Sequence, residues 1–167
     1  MGRLIILLGG NQGNITETFR RVVTKLNDKL GSVTEISGYY ESEPWGFESK
    51  HNFINQVVEI DCSMPATEVI KTTQSVEREF GRIKKSGKGY SSRPIDIDIL
   101  FFDNLIVDST ELIIPHPRLH ERMFTLLPLS EKWAGYIHPV KNRTILQLLE
   151  KSEDKGWVKR IQSQGEQ

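Results

Sequence analysis

Two aspartates one residue apart, Asp96 and Asp98, stand in the run Arg93-Pro94-Ile95-Asp96-Ile97-Asp98-Ile99-Leu100-Phe101-Phe102. Ile and Phe crowd this stretch, so it reads as a β-strand, and alternation along a strand puts both carboxylates on one face with Ile95, Ile97 and Ile99 on the other. Their backbones are then about 6–7 Å apart. Two like charges at about 6 Å repel by roughly 3 kcal/mol at an effective dielectric near 20. A fold tolerates such a pair when a cation sits between them, when one is protonated, or when water screens both. Just upstream, residues 82–93 (Arg82-Ile83-Lys84-Lys85-Ser86-Gly87-Lys88-Gly89-Tyr90-Ser91-Ser92-Arg93) hold five cations and no acid. Carboxylates able to hold Mg²⁺ beside a glycine-containing cationic segment suit a substrate with several phosphates. The plainer account is a strand with two solvated aspartates next to a solvated basic loop.

Further groups stand where they could frame a small-molecule pocket. Ser42-Glu43-Pro44-Trp45-Gly46-Phe47 and Phe53-Ile54-Asn55 bring aromatic rings and one amide; rings can sandwich a flat heterocycle while Asn55 reads its polar edge. Core packing plus a surface loop competes with that reading. Gln74 and Glu77 lie three residues apart on a predicted helix and project from one face, as an exposed flank or as part of a site near Arg82. In Pro115-His116-Pro117-Arg118-Leu119-His120-Glu121-Arg122-Met123-Phe124, His116 and Arg122 could meet phosphates and Phe124 could add a ring. The prolines argue against a helical His116/His120 metal pair. Gly9-Gly10-Asn11-Gln12-Gly13-Asn14 joins a strand to a helix but matches neither G-x-G-x-x-G nor a P-loop, so a tight structural turn is favoured there over a cradle of backbone N–H groups for phosphate.

These groups need elements to position them. Residues 4–8 form a continuous apolar run, a strand buried on both faces. A helix follows over 14–31, with Asn14 and Glu17 as its start signal and Gly31 as its stop. Strands are predicted over 33–41, 53–62 and 96–102, and a helix opening at Pro65 turns Val69, Thr73, Val76 and Phe80 inward. A hairpin of 105–107 with 112–114, helical pieces around 121–129 and 144–151, and a polar tail from about 163 complete the chain. The order β-α-β-β-α-β predicts an α+β, ferredoxin-like sandwich, its mainly antiparallel sheet covered on one face by helices.

Composition narrows the rest. The 167 residues fit one catalytic domain, 1–167. Lys plus Arg equals Asp plus Glu at 22 each, which argues against bulk binding to nucleic acid or membrane. Cys62 is the single cysteine, so no disulfide framework or cysteine-based zinc cluster is expected. No membrane-length apolar run or signal-peptide pattern is evident, and a cytoplasmic setting without an obligate protein partner is expected.

Taken together, the motifs resemble the 6-hydroxymethyl-7,8-dihydropterin pyrophosphokinases of folate biosynthesis, from Leu4 to about Leu149. The most specific part is Arg93-Pro94-Ile95-Asp96-Ile97-Asp98-Ile99-Leu100, supported by Gly10-Asn11, Ser42-x-Pro44-x-Gly46, Phe53-Ile54-Asn55, Gln74-x-x-Glu77, Gly81-Arg82 and Pro115-His116-Pro117. The resemblance implies transfer of pyrophosphate from ATP to the pterin hydroxymethyl group, releasing AMP, with Asp96 and Asp98 holding two Mg²⁺ ions. It implies catalytic roles for Arg82, Arg93, Asp96 and Asp98, and a nucleotide site of Gln74, Glu77, Arg82, Arg93, His116 and Arg122. It implies a pterin pocket of Gly10, Ser42, Pro44, Trp45, Asn55 and Phe124, with Phe53 stacking on or supporting it. The chain departs from the family at Ser42 for the usual Thr, at Gly89-Tyr90-Ser91-Ser92-Arg93 for Trp-Gly-Pro-Arg, at Lys84 for Arg, and at Glu111 for a cation. Two rivals remain: a palm-type two-metal nucleotidyl transferase, which would release pyrophosphate, and a non-catalytic pterin- or nucleotide-binding module.

Overall fold

The computed structural model describes residues 2–44, 51–81 and 95–162. Strand β1 (Gly2–Gly10) leads into helix α1 (Ile15–Lys29), and β2 (Gly31–Ile36), β3 (Tyr39–Ser42) and β4 (Phe53–Cys62) follow. Next come α2 (Ala66–Glu79), β5 (Asp96–Phe102), a short hairpin of β6 (Val107–Asp108) and β7 (Ile113–Ile114), and a 3₁₀ turn at Leu119–Glu121. Helices α3 (Met123–Trp133) and α4 (Ile145–Lys151) precede the last strand, β8 (Val158–Ile161). The main sheet runs β5-β1-β4-β3-β8, and β2 pairs with the half of β4 that β3 leaves free. Its pairings are antiparallel. This is the expected α+β, ferredoxin-like sandwich.

Helices cover both faces of the sheet rather than the one expected, and β1 shows why. Leu4, Ile6 and Leu8 pack with Phe19, Val22 and Leu26 of α1 and Val69 and Val76 of α2. Ile5 and Leu7 of the same strand pack with Leu126, Leu129 and Trp133 of α3 and Ile145 of α4. A strand apolar on both faces exposes one of them to water unless each receives its own cover.

Local signals account for the boundaries. Asn14 caps α1, its Oδ1 accepting the N–H of Glu17 at 3.3 Å. Gly31 ends that helix at φ +144°, where an added Cβ would collide with the carbonyl of Asp61. The strand predicted over 33–41 is broken at Ser37–Gly38, because the Ser37 hydroxyl accepts the N–H of Val57 at 2.9 Å in place of a regular ladder partner. The hairpin is two residues per strand, shorter than expected. Strand β8 is an addition: it pairs with β3, Tyr39 opposite Ile161 and Ser42 opposite Val158.

Candidate functional site

The register of the sheet brings the singled-out residues together. Asp96 lies opposite Gly9, Gly9 opposite Asn55, and Asn55 opposite Tyr40. Residues directly opposite one another share a face, so the row Asp96–Gly9–Asn55–Tyr40 crosses four strands on the face toward α3. Asp98 lies opposite Leu7, and Phe53 lies opposite Ser42, both on this same face. With strands about 4.8 Å apart, Asp96 and Asn55 are about 10 Å apart at the backbone, with the bare backbone of Gly9 between them. Both aspartates are half-buried while Ile95, Ile97 and Ile99 are buried, as the alternation predicts.

On the amide side, Asn55 is buried and its Nδ2 donates to the carbonyl of Leu8 at 3.1 Å. An added Cβ on Gly9 would stand 2.7 Å from that Nδ2, so the absence of a side chain at position 9 sets where the amide lies. Gly10, the glycine expected at this pocket, lies one position along, opposite Ile54. Gly9 was missed because its turn was read for phosphate-loop spacing and not for cross-strand neighbours. Ser42, also buried, holds its Oγ without a hydrogen-bond partner among the described residues. A buried hydroxyl in that state has hydrogen-bonding capacity still to be filled. Phe53 and Pro44 are half-buried, and Phe124, the second residue of α3, packs against the core on this face with the Arg122 guanidinium 5.5 Å over its ring. The N–H of Met123 donates to Asp154 Oδ2 at 2.8 Å, which ties the start of α3 to the segment leading into β8. Trp45 lies outside the described residues.

On the carboxylate side, a cleft of about 270 Å³ borders β5, lined by Ile70, Ile97, Ile99, Leu112, Asp98 and His116 among others. Ile70, Gln74 and Glu77 recur at helical spacing along α2, placing them on one stripe. Ile70 lines the cleft and Gln74 is exposed, while Glu77 is buried and accepts the N–H of Ile97 at 2.8 Å. The exposed flank that the sequence allowed for Glu77 is therefore not its setting. Arg82 and Arg93 lie outside the described residues.

His116 is pushed down to about 4, chiefly by burial and then by the positive charge of Arg122, with Asp96 opposing. The three groups thus feel one another's fields. Its Nδ1 accepts the N–H of Arg118 at 3.2 Å, so the neutral ring carries its proton on Nε2. That leaves a neutral donor beside a cation and a carboxylate. His120 and His138 also stay below the usual imidazole range through burial, and the His138 ring packs edge-on against Phe101.

The Asp96/Asp98 donor set is all oxygen, which suits a hard cation such as Mg²⁺. No group of three or more His, Cys, Asp or Glu able to hold a metal occurs among the described residues. Substrate phosphates and water would fill the remaining positions, which is the usual habit of Mg²⁺. No helix among the described residues is long and apolar enough to cross a membrane.

Comparison with known proteins supports the family resemblance. Residues 5–133 match the family model described as 7,8-dihydro-6-hydroxymethylpterin-pyrophosphokinase (HPPK). A 2-amino-4-hydroxy-6-hydroxymethyldihydropteridine pyrophosphokinase of Porphyromonas gingivalis is 40% identical over 141 residues, 83% of this chain and 95% of that protein. Its Bacillus subtilis counterpart is 39% identical over 127 residues, 75% of each. Among solved structures, an HPPK-DHPS of Plasmodium falciparum superposes with a TM-score of 0.70 over 90% of this chain. At 17% identity that likeness shows the fold alone, and the chain spans 42% of the longer Plasmodium protein.

Proposed function

Because the chain belongs to the HPPK family, and so transfers pyrophosphate from ATP to the hydroxymethyl group of 6-hydroxymethyl-7,8-dihydropterin in folate biosynthesis, we propose that the Asp96–Gly9–Asn55 row is where the two substrates meet. The observation that carries this reading is the register itself: metal-suited carboxylates and a buried amide reader flank a residue with no side chain. The pterin lies toward Asn55, Ser42, Pro44, Phe53 and Phe124, with Gly10 close by; Trp45 is assigned to the pterin by family resemblance alone. The buried hydroxyl of Ser42 and the amide of Asn55 read its polar edge, and the rings cover its faces. The triphosphate lies toward β5, with Asp96 and Asp98 each contributing to the binding of two Mg²⁺ ions. When bound, these would neutralise charge on the bridging and leaving oxygens of the triphosphate.

The hydroxymethyl oxygen forms a bond to the β-phosphorus as the bond from that phosphorus to the α–β bridging oxygen breaks. The hydroxyl proton passes to solvent water, and AMP leaves with the bridging oxygen. Attack on β rather than γ depends on placement, so the chain's contribution is to hold the two substrates in line. His116 offers a neutral Nε2–H and Arg122 a fixed positive charge to phosphate oxygens. Gln74 supports the nucleotide from α2. Arg82 and Arg93, by family resemblance, bring cations to the phosphates from the two ends of their segment. We place the reaction in the cytoplasm and in a single domain.

The test is an assay with ATP, Mg²⁺ and the pterin that resolves AMP, ADP and pyrophosphate. AMP should form in step with a pyrophosphorylated pterin. Pyrophosphate as the by-product would favour the nucleotidyl transferase, and no turnover would favour the binding module; family membership favours neither.

A further inference from the structure

We propose that Glu77 is a positioning residue for the Asp96/Asp98 pair, acting through the backbone of Ile97 rather than by touching the nucleotide. Among the described strands, β5 is at the edge of the sheet, paired on one side with β1. The outward N–H groups of such a strand need partners from elsewhere in the fold. At Ile97 the partner is the Glu77 carboxylate, 2.8 Å away and held in a side chain only 5% exposed. Ile97 is the residue between the two aspartates, so any roll or slide of its peptide moves both carboxylates at once. Three constraints meet there: its side chain is buried in the core, its strand pairs with Leu8 of β1, and its N–H donates to a buried carboxyl oxygen. At 2.8 Å the bond is short, and hydrogen bonds of that length are directional. The 5% exposure also leaves little of Glu77 for a nucleotide to touch. Groups that orient metal ligands without binding the metal typically contribute ten- to a hundredfold in metal affinity.

The inference rests on the pyrophosphokinase reading for what the pair holds. The experiment compares wild type with E77Q, whose amide oxygen still accepts the Ile97 N–H, and E77A, which removes the acceptor. Mn²⁺ binding is followed by electron paramagnetic resonance with α,β-methylene-ATP present, and amide exchange at Ile97 by nuclear magnetic resonance. E77A should bind Mn²⁺ about ten- to a hundredfold more weakly and exchange the Ile97 amide faster. E77Q should stay close to wild type in both. Unchanged Mn²⁺ affinity in folded E77A overturns the proposal, and so does a loss confined to the KM for ATP. If E77A does not fold, E77Q decides: retained Mn²⁺ affinity and Ile97 protection uphold it, and weakened Mn²⁺ binding with Ile97 still protected refutes it. Wild-type protein that makes no AMP from ATP and pterin would instead refute the underlying function.

Discussion

Replacing Gly9 with Ala tests the proposed meeting point of the substrates at the cost of one methyl group. The new Cβ would stand 2.7 Å from Asn55 Nδ2, about a van der Waals overlap too close, so the amide must move. Moving it breaks the 3.1 Å bond to the Leu8 carbonyl in a buried setting. Unpaired buried polar groups cost about 1–3 kcal/mol, which for a chain of this size lowers the thermal midpoint by about 2–12 °C. The fold therefore survives. The functional effect is larger, because displacing a substrate-positioning group by about 1 Å can cost about a hundredfold in turnover. Steady-state kinetics with each substrate varied should show kcat/KM for the pterin falling about a hundredfold while the dissociation constant of an ATP analogue changes little. The double variant G9A/N55A should be no worse than N55A alone, since the methyl acts through the amide. A folded G9A protein with wild-type kcat/KM for the pterin, or one whose defect adds fully to that of N55A, would refute the reasoning.

Three other outcomes are expected. Asp96→Ala should retain its fold by circular dichroism yet lose turnover by several orders of magnitude at ordinary Mg²⁺; an active variant would remove the two-metal assignment. Ser42→Ala should change stability by less than about 1 kcal/mol, because the buried Oγ has no partner among the described residues to lose, yet raise the KM for the pterin roughly five- to tenfold. Folding stability should fall between pH 7 and pH 5. His116 and His138 are pushed down to about 4 in the folded chain, while the unfolded chain takes up protons near 6.5, so their contribution is complete above 6.5 and lost as pH falls toward 4. Equal urea midpoints at pH 7 and pH 5 would contradict neutral imidazoles.

Local pattern made the aspartates legible. Alternation along residues 95–102 placed both on one face, and the structure keeps them there. The two-sided apolar character of residues 4–8 was also legible, although its consequence, helices on both faces, was not drawn. What sequence could not supply was register. Nothing local says that Gly9 falls between Asp96 and Asn55, because that row joins positions nearly ninety residues apart along the chain. The same holds for Glu77, whose helical position reads as a polar flank until the edge of β5 comes down beside it. Strand β8 escaped notice because Val158-Lys159-Arg160-Ile161 is four residues long and lacks alternation; only the open edge of β3 makes it a strand.

That pairing has a consequence for how the protein is made. Synthesis proceeds at about 5–20 residues per second, so roughly 6–24 s separate the emergence of Tyr39–Ser42 from that of the strand that covers it. During this interval the edge next to Ser42 is open on the nascent chain and available to stray strands. The flank of the proposed pterin pocket is thus the last part of the sheet to be sealed. Ribosome-stalled chains ending before residue 158 should show this edge to proteases and chaperones, even though strands β1 to β5 have already left the exit tunnel.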